Sequence, residues 1–454
     1  VVARAEVEHP LSTPRPGWAE QDPEDWWTGA CSVLEALGAE GEIAGIGLTG
    51  QMHGLVALDA AARVLRPAML WNDGRTGAEC AEIERRIGLD ALIGLTGNRA
   101  LTGFTAPKLL WLARHEPDVY ARIDRIMLPK DYVRLRLCGE HATDVADASG
   151  TLLFDVASRR WSDAVMQALD VDPAWLPRAL ESPQPSGATP AGIPVAAGAG
   201  DQAAGALGVG VDRPGPASVV LGTYGVVFAA ADAFTADREA RVHAFCHAVP
   251  GGWHSMGVML SAAGSLRWLA DVLGPGAEFG ALVEEARAWG PGVEGLTFLP
   301  YLAGERTPHA DPDARGAFSG LSLRHDRGAL TRAVLEGVAF GLRDGLDLVA
   351  ENAGAPSLGR VSGGGARSAL WLAILASVLE LPLQRVAVDE GASFGAALLA
   401  GVAAGTFGDV HEAVAACVRP GEVVEPVAEW VEPYREARER FVALYPALRA
   451  ARGE

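Results

Sequence analysis

The chain has 454 residues, 49% hydrophobic and 21% charged, which is the composition of a globular protein long enough for two domains. Its net charge of −19 excludes an extended nucleic-acid surface, because such a surface needs a basic field. Five widely spaced cysteines favour reduced thiols, and no apolar run is long enough to cross a bilayer. We therefore expect a cytoplasmic protein that binds neither nucleic acid nor membrane.

Strand and helix signals alternate along the whole chain. The first half predicts an edge strand at 1–7, a helix beginning at Asp22–Pro23, strands at 43–49, 57–58 and 68–71, helices between 76 and 116 broken near Gly97 and Pro107, and a loop at 183–194. The second half predicts strands near residues 219, 227 and 297, and helices at 264–274, 329–352, 369–379, 392–404 and 432–450. A proline- and glycine-rich segment at 211–216 separates the halves. We predict an α/β protein with domains at 1–210 and 211–454.

The segment 195–210 carries a candidate catalytic acid. A buried strand is predicted to end here, to turn at Gly198 and Gly200, and to continue as a helix of small residues. Asp201 then lies at the carboxyl end of a strand, where open α/β sheets bind their ligands. A short carboxylate in an apolar, glycine-lined turn is a candidate general base.

Two further glycine turns are candidate phosphate or nucleotide sites. Residues 217–230 predict a buried hairpin whose tip, at Gly222 and Thr223, can aim backbone N–H groups at a phosphate. The three glycines at 363–365 follow a short strand and precede a helix, so they either bind a flat ligand or form a simple tight turn. An acid and a phosphate-sized turn close in sequence indicate phosphoryl transfer.

Other polar clusters favour structural roles. His243, Cys246 and His247 have the spacing of metal ligands, but no fourth ligand is evident. Asp144 and Asp147 could bind a cation, although solvated loop acids or helix caps are favoured.

A series of motifs resembles the FGGY carbohydrate kinases, and within that family the xylulokinases, over nearly the whole chain. The motifs are GQMHG (50–54), LWNDGRT (70–76), GFTAPKLLWLARH (103–115), LPKDY (128–132), the Asp201 segment, LPYLAGERTPH (299–309), RAVLEGVAFGL (332–342) and SGGGARS (362–368). The resemblance implies two ribonuclease H-like domains of the actin/hexokinase-like ATPase fold on either side of a cleft. Sugar would bind the first domain and nucleotide mainly the second.

The resemblance also implies a role for each matched residue. Asp201 would be the general base for the C5 hydroxyl of D-xylulose and would be linked to Mg²⁺. The remaining roles are sugar binding by Met52, His53, Asp201 and Gln202, and ATP binding by Gly222, Thr223, Gly363, Gly364, Gly365 and Ala366. A homodimer is consistent with this family. Phosphoryl transfer has a loose transition state, so a carboxyl of ordinary pKa, about 4, suffices as the base.

Three features depart from the family pattern. Gln202 stands where xylulokinases have asparagine, and Tyr224 stands where a serine follows the phosphate-turn threonine. The family's opening Asp-x-Gly-Thr hairpin, its first phosphate loop, has no counterpart in residues 1–20. We therefore expect the natural product to be longer and the chain as given to phosphorylate sugars poorly.

The sequence predicts ATP-dependent phosphorylation of D-xylulose to D-xylulose 5-phosphate. Kinases of glycerol, ribulose or another polyol are alternatives within the class. A catalytically silent sugar- or nucleotide-binding protein is the alternative outside it, because the first phosphate loop is missing while Asp201 is retained.

Overall fold

The first half of the chain folds into many short elements, in a computed structural model that describes residues 1–38, 43–275, 277–387 and 390–453. Its helices are α1 (Pro23–Ala36), α2 (Gly77–Ile87), α3 (Leu89–Thr96), α4 (Thr105–His115), α5 (Pro117–Tyr120), α6 (Pro129–Cys138), α7 (Val145–Ser149), α8 (Asp163–Leu169) and α9 (Asp201–Gly208), with a 3₁₀ turn at Pro173–Trp175. Its strands are β1 (Glu20–Gln21), β2 (Thr49–Gly50), β3 (Val56–Leu58), β4 (Ala68–Met69), β5 (Arg125–Met127), β6 (Ala142–Asp144), β7 (Phe154–Asp155), β8 (Arg160–Trp161), β9 (Arg178–Leu180), β10 (Pro185–Ala188), β11 (Pro194–Ala196) and β12 (Ala199–Gly200).

Several sequence predictions for this half are confirmed and others are wrong. Asp22 caps α1 by accepting a bond from the Glu24 N–H at 3.0 Å. Pro107 does not interrupt α4, because it lies in the first turn, where a missing N–H costs nothing. The strand predicted at 1–7 is absent, since that exposed segment forms no ladder. The strand predicted at 43–49 is regular only at its end, in β2, while the segment predicted to be a loop contains β10.

The parallel pairing of β2 with β12 positions the two segments that the sequence analysis singled out. Gly50 faces Gly200 in this pairing, and an isolated bridge between Ile46 and Val195 extends it. The strands approach closely at Gly198, where an added Cβ would lie 2.2 Å from the Leu48 carbonyl oxygen. The residues that follow the two strands therefore leave the ladder at the same edge.

The second half is built on one mixed sheet. Its strands are β13 (Pro216–Leu221), β14 (Gly225–Ala231), β15 (His243–Cys246), β16 (Trp253–Met259), β17 (Thr297–Leu299), β18 (Ala317–Ser319), β19 (Leu358–Ser362), β20 (Leu383–Val386) and β21 (Pro420–Val424). Its helices are α10 (Ala263–Leu273), α11 (Phe279–Ala286), α12 (Arg327–Ala353), α13 (Ala369–Leu379), α14 (Gly391–Ala403), α15 (Val410–Cys417) and α16 (Ala428–Ala451), with 3₁₀ turns at Val293–Gly295 and Gly364–Arg367. The seven-stranded sheet has the order β15-β16-β14-β13-β19-β20-β21, and β17 pairs separately with β18.

The two faces of this sheet pack into different cores. Val219 and Val227 belong to a core shared with the buried sides of α12 and α13. Phe228 and Phe245 belong to another core, which contains Phe104 and other residues of the first half. The charge-free helix α13 is buried on nearly every side, as its sequence predicted. Among the described residues, no helix has the length and hydropathy to span a bilayer.

Helices α9 and α14 join the halves through glycine contacts. A Cβ added to Gly395 would lie 1.8 Å from the Ala204 carbonyl oxygen, and one added to Gly47 would lie 1.9 Å from the Ala396 carbonyl oxygen. No side chain fits at these distances. The contact between the halves therefore depends on bare backbone at Gly395 and Gly47.

Substitution of Gly395 by alanine tests this dependence. We expect Gly395→Ala to lower the free energy of unfolding by roughly 1–3 kcal/mol, the usual cost of overpacking. Gly205→Ala in α9 is the matched control, because an added Cβ at Gly205 meets nothing outside its own helix within 4 Å. The control should stabilise the protein by about 0.5–1 kcal/mol through helix propensity. Urea unfolding measures both, and equal effects would contradict the close packing.

Candidate active site

Asp201 is the first residue of α9 and directly follows β12, as the sequence predicted. Its side chain is partly exposed, so the carboxylate can be reached from solvent. Burial of the surrounding residues raises the pKa of Asp201 to about 6, against the opposing effect of the Gln202 amides. The pKa of Asp201 therefore lies above the ordinary carboxyl value, because the turn at Gly200 places Asp201 in an apolar environment.

Met52 packs against the turn that precedes this acid, and His53 follows Met52 in the chain. An added Cβ on Gly200 would lie 2.7 Å from Met52 Cγ, and one on Gly150 would lie 2.5 Å from His53 Nδ1. The structure thus brings together three of the predicted sugar-binding residues. The fourth, Gln202, is partly exposed in the first turn of α9.

The His53 ring is held in one tautomer. Its Nδ1 lies 2.7 Å from the Gly150 carbonyl oxygen, which can only accept, so Nδ1 carries the proton and Nε2 keeps a lone pair. Burial lowers the pKa of His53 to about 3, so the ring is neutral at physiological pH. His53 can therefore accept one further hydrogen bond, from a hydroxyl for example.

The backbone of His53 is held in the left-handed region, at a φ of 69°. Lys108 Nζ donates to the His53 carbonyl oxygen at 3.0 Å and to the Gly103 carbonyl oxygen at 2.6 Å, and the Thr105 hydroxyl donates to His53 at 3.0 Å. Burial lowers the pKa of Lys108 to about 7. Lys108 and Thr105 compensate for the strain of this conformation and fix the direction of the imidazole.

A buried cluster of charges supports the same edge. Lys130 Nζ lies 2.8, 2.7 and 2.8 Å from carboxylate oxygens of Asp131, Asp144 and Asp147. Asp144 and Asp147 were expected to be solvated loop acids or helix caps. Asp144 does cap α7, but both side chains are fully buried rather than solvated. Burial raises the pKa of Asp147 to about 8, and its Oδ1 lies 3.3 Å from an added Cβ on Gly200. The cluster therefore fixes the turn that precedes Asp201.

A cavity of about 790 Å³ lies in the second half of the chain. The predicted nucleotide residues that line it are Gly222, Thr223, Gly364 and Gly365. Six further residues also line it: Arg267, Phe279, Arg287, Arg367, Ser368 and Trp371. Arg367 and Ser368 belong to the SGGGARS motif, whereas the sequence did not indicate the other four. The other two predicted residues lie at its edge, with Ala366 buried and Gly363 packed against the backbone of Leu221.

The predicted hairpin tip is confirmed and is anchored to α10. Strands β13 and β14 pair up to Leu221 and Gly225, leaving a turn at 222–224. The Thr223 carbonyl oxygen accepts from the N–H groups of Ala262 and Gly264 at 2.9 and 3.2 Å. The Gly222 N–H donates to the Tyr224 carbonyl oxygen at 3.1 Å, which leaves Thr223 as the candidate backbone donor of this turn to an anion.

Tyr224, the residue that departs from the family pattern, reaches the first half of the chain. Its ring meets the ring of Trp71 edge to face, with centroids 5.0 Å apart. Such an aromatic pair adds about 0.5–1.5 kcal/mol beyond the area it buries. The tip of the hairpin is therefore tied to the half that carries Met52 and His53.

The described residues hold no group of three or more His, Cys, Asp or Glu side chains that could bind a metal ion. The metal cluster considered at His243 and His247 is therefore not formed. Mg²⁺ that accompanies a nucleotide needs only one or two carboxylates, with phosphates and waters as its other ligands. The partly exposed carboxylate of Asp201 fits such an ion.

Known proteins are similar to this chain in sequence and structure. Family models match the chain in two parts: the FGGY family of carbohydrate kinases, N-terminal domain, at residues 1–208, and its C-terminal domain at residues 217–404. A xylulose kinase of Escherichia coli (strain K12) is 44% identical, covering 99% of this chain and 94% of that protein. A xylulose kinase of Klebsiella pneumoniae is 42% identical, covering 99% and 95%.

Solved structures agree with these relatives. The crystal structure of a "xyloylose kinase" from Brucella ovis superposes with a TM-score of 0.92 at 42% identity and covers 98% of this chain and 94% of that one. This likeness confirms the predicted α/β fold with a two-domain architecture.

The raised pKa of Asp201 makes a prediction about stability. A carboxyl whose pKa rises from 3.8 to about 6 on folding weakens the fold once it ionises, so this cost grows as pH rises through that range and is complete above it. Asp201→Asn should therefore raise the free energy of unfolding by up to about 3 kcal/mol at pH 8, and by roughly 1 kcal/mol less at pH 5. Urea unfolding at both pH values measures the difference.

Asp59 is the matched control for this measurement. Its carboxylate accepts bonds from the backbone and side chain of Arg63, which lower its pKa. Asp59→Asn should therefore destabilise the protein at both pH values. A destabilised Asp201→Asn protein at pH 8 would contradict the raised pKa.

Proposed function

The chain belongs to the FGGY family of carbohydrate kinases, and we propose that it transfers the γ-phosphoryl group of ATP to the C5 hydroxyl of D-xylulose. The products are D-xylulose 5-phosphate and ADP. The observation that carries this proposal is the grouping of Asp201 with Met52 and His53 at the edge of the β2–β12 ladder. A glycine-lined cavity in the other half supplies a place for the nucleotide.

Asp201 accepts the proton of the C5 hydroxyl as the oxygen attacks phosphorus. With a pKa of about 6, the carboxyl is ionised at neutral pH and is still basic enough to hold the proton. Because the transition state of phosphoryl transfer is loose, position matters more than base strength. The rigid turn at Gly200 supplies that position, because Met52 and Asp147 pack directly against it.

His53 and Gln202 orient the sugar. The free Nε2 lone pair of His53 accepts from a sugar hydroxyl, since Nδ1 is committed to the Gly150 carbonyl oxygen. The Gln202 side chain offers an amide donor and acceptor one residue beyond the base. Together they hold the sugar so that C5 points toward the phosphate turn.

The nucleotide occupies the cavity of about 790 Å³, a size within the usual range for a ligand of this kind. The Gly222 N–H already donates to the Tyr224 carbonyl oxygen, so the Thr223 N–H is the donor of this turn that binds a phosphate oxygen. The bare backbone at Gly364 and Gly365 lets the nucleoside approach. The carboxylate of Asp201 would help to hold the Mg²⁺ that accompanies ATP, an ion that would supply neutralisation of the phosphate charge.

The family alone leaves other sugars and polyols open. The relatives named as xylulose kinases cover nearly the whole chain at 42% identity or more, and this favours D-xylulose over glycerol or ribulose. A silent binding protein is less favoured, because the described chain keeps the acid, the sugar residues and the phosphate turn in place.

A substrate panel tests the proposal. Coupled detection of ADP with D-xylulose, D-ribulose, glycerol and D-gluconate should give the highest kcat/KM for D-xylulose. Asp201→Asn should lower kcat by about 10²–10⁴-fold, the usual contribution of a general base, while calorimetry still detects ATP binding. Another preferred substrate would contradict the choice of sugar. ATP and sugar binding without turnover would favour the silent alternative.

A further inference from the structure

A single arginine of the second half reaches the sugar-binding edge of the first half. Arg306 Nη2 lies 3.7 Å from the position that a Cβ on Gly103 would take. Lys108 donates to the carbonyl oxygen of Gly103 and also to that of His53. The guanidinium therefore lies beside the backbone that holds His53.

The backbone of Arg306 is fixed on both sides. Glu305 Oε1 accepts from the N–H groups of Leu260 and Arg306 at 2.9 and 2.8 Å. On the other side, the Thr307 N–H donates to the Val258 carbonyl oxygen at 2.9 Å. These bonds attach the arginine to β16, so its reach across to the first half is built into the fold.

The Arg306 guanidinium has no protein partner in residues 1–38, 43–275, 277–387 and 390–453. Its neighbour Glu305 forms no ion pair with it, because Oε1 of Glu305 is committed to two amides. Burial also raises the pKa of Glu305 to about 8. The first turn of α4, next to Gly103, contains no acid. A half-buried cation with unused donors thus lies beside a helical turn that contains no acid.

A second polar group near Arg306 also lacks a partner. Asn98 donates through Nδ2 to the carbonyl oxygens of Thr96 and Ala244, so its Oδ1 must accept the Nδ1–H of His243 at 2.6 Å. His243 is only 4% exposed, and its Nε2 has no hydrogen-bond partner among the described residues. An orphaned buried acceptor costs about 1–3 kcal/mol unless a ligand, water or mobile donor satisfies it.

We propose that Arg306 is a substrate-binding residue that donates to the C1 hydroxyl and C2 carbonyl oxygens of a bound ketose, the end remote from the phosphorylated C5. This inference rests on the proposed function, because it uses the sugar position defined by His53 and Asp201. The planar guanidinium can donate two parallel bonds to the two neighbouring oxygens. A polyol without a C2 carbonyl loses one of them.

The contact beside Gly103 puts Arg306 at the His53 end of the site, and the charges of the neighbouring groups agree with this position. Its charge helps to lower the pKa values of His53 and His243. The shift of Asp201, in contrast, arises from burial and from Gln202. The guanidinium is therefore nearer to the histidines than to the base.

Arg306→Gln and Arg306→Lys test the assignment against two sugars. For Arg306→Gln we expect KM for D-xylulose to rise 10–100-fold, the loss expected for hydrogen bonds to a charged group, with KM for ATP within twofold. For 1-deoxy-D-xylulose, which lacks the C1 hydroxyl, the rise should be at least threefold smaller. Lysine keeps the charge but not the planar pair of donors, so its effect should be intermediate.

Arg315→Gln is the matched control. Arg315 is an exposed arginine of the same loop that donates to the carbonyl oxygens of Pro312 and Ala314. Its substitution should change neither KM by more than twofold. If Arg306→Gln fails to fold, as judged by thermal unfolding, Arg306→Lys provides the comparison.

Three results would overturn the inference. They are an unchanged KM for D-xylulose in both variants, an equal loss for both sugars, and a rise confined to KM for ATP. These outcomes are distinct from failure of the proposed function. In that case the unsubstituted protein would bind ATP but show neither binding nor turnover of D-xylulose.

Discussion

The parallel pairing of β2 with β12 is the contact on which the candidate site depends. Only two residue pairs form it, and one of them sets Gly50 opposite Gly200. Because parallel strands end at the same edge, Met52, His53 and Asp201 leave the ladder together. Side chains larger than hydrogen at Gly198 or Gly200 would separate the strands or displace Met52. The chemistry therefore rests on a close approach of bare backbone.

Around this edge the protein buries polar groups at a cost in stability and keeps several of them poised for ligands. Lys130 compensates for three buried carboxylates, and Lys108 is occupied by two carbonyl oxygens. Asp201 and Arg306 are the charged groups left with capacity to bind. A site that holds an uncompensated carboxylate and an uncompensated guanidinium cation is less stable than it could be, and this is common where function requires it. Substrate binding would satisfy both groups.

Local patterns predicted much of this fold and part of the site. Asp201 at a strand end, the hairpin tip at Gly222 and the cap at Asp22 all follow from short-range rules on glycine, strand length and helix capping. The strand predicted at 43–49 is regular only at its end. A pattern of apolar residues cannot show whether a neighbouring strand is present to pair with it. The prediction that Asp144 is solvated was wrong because Lys130, the cation that pairs with it, comes from a different helix.

The remaining site features depend on contacts between distant segments. The pKa of Asp201 reflects the apolar packing around Gly200, which the order of residues does not reveal. Arg306 lies about 100 residues beyond Asp201 in an irregular segment, and a single arginine in a loop carries no periodic signal. That Arg306 has no ion-pair partner, and that it lies beside Gly103, follows only from the packing of the two halves against each other. The domain boundary at 210–211 stays a prediction.

The most direct test of the central claim is a crystal structure of the protein with D-xylulose and a non-hydrolysable ATP analogue. We expect the C5 oxygen within hydrogen-bond distance of the Asp201 carboxylate, about 2.6–3.2 Å, and the γ-phosphate at the turn of Gly222 and Thr223. A sugar bound with C5 against another acid, or with Asp201 turned away from every sugar oxygen, would contradict it.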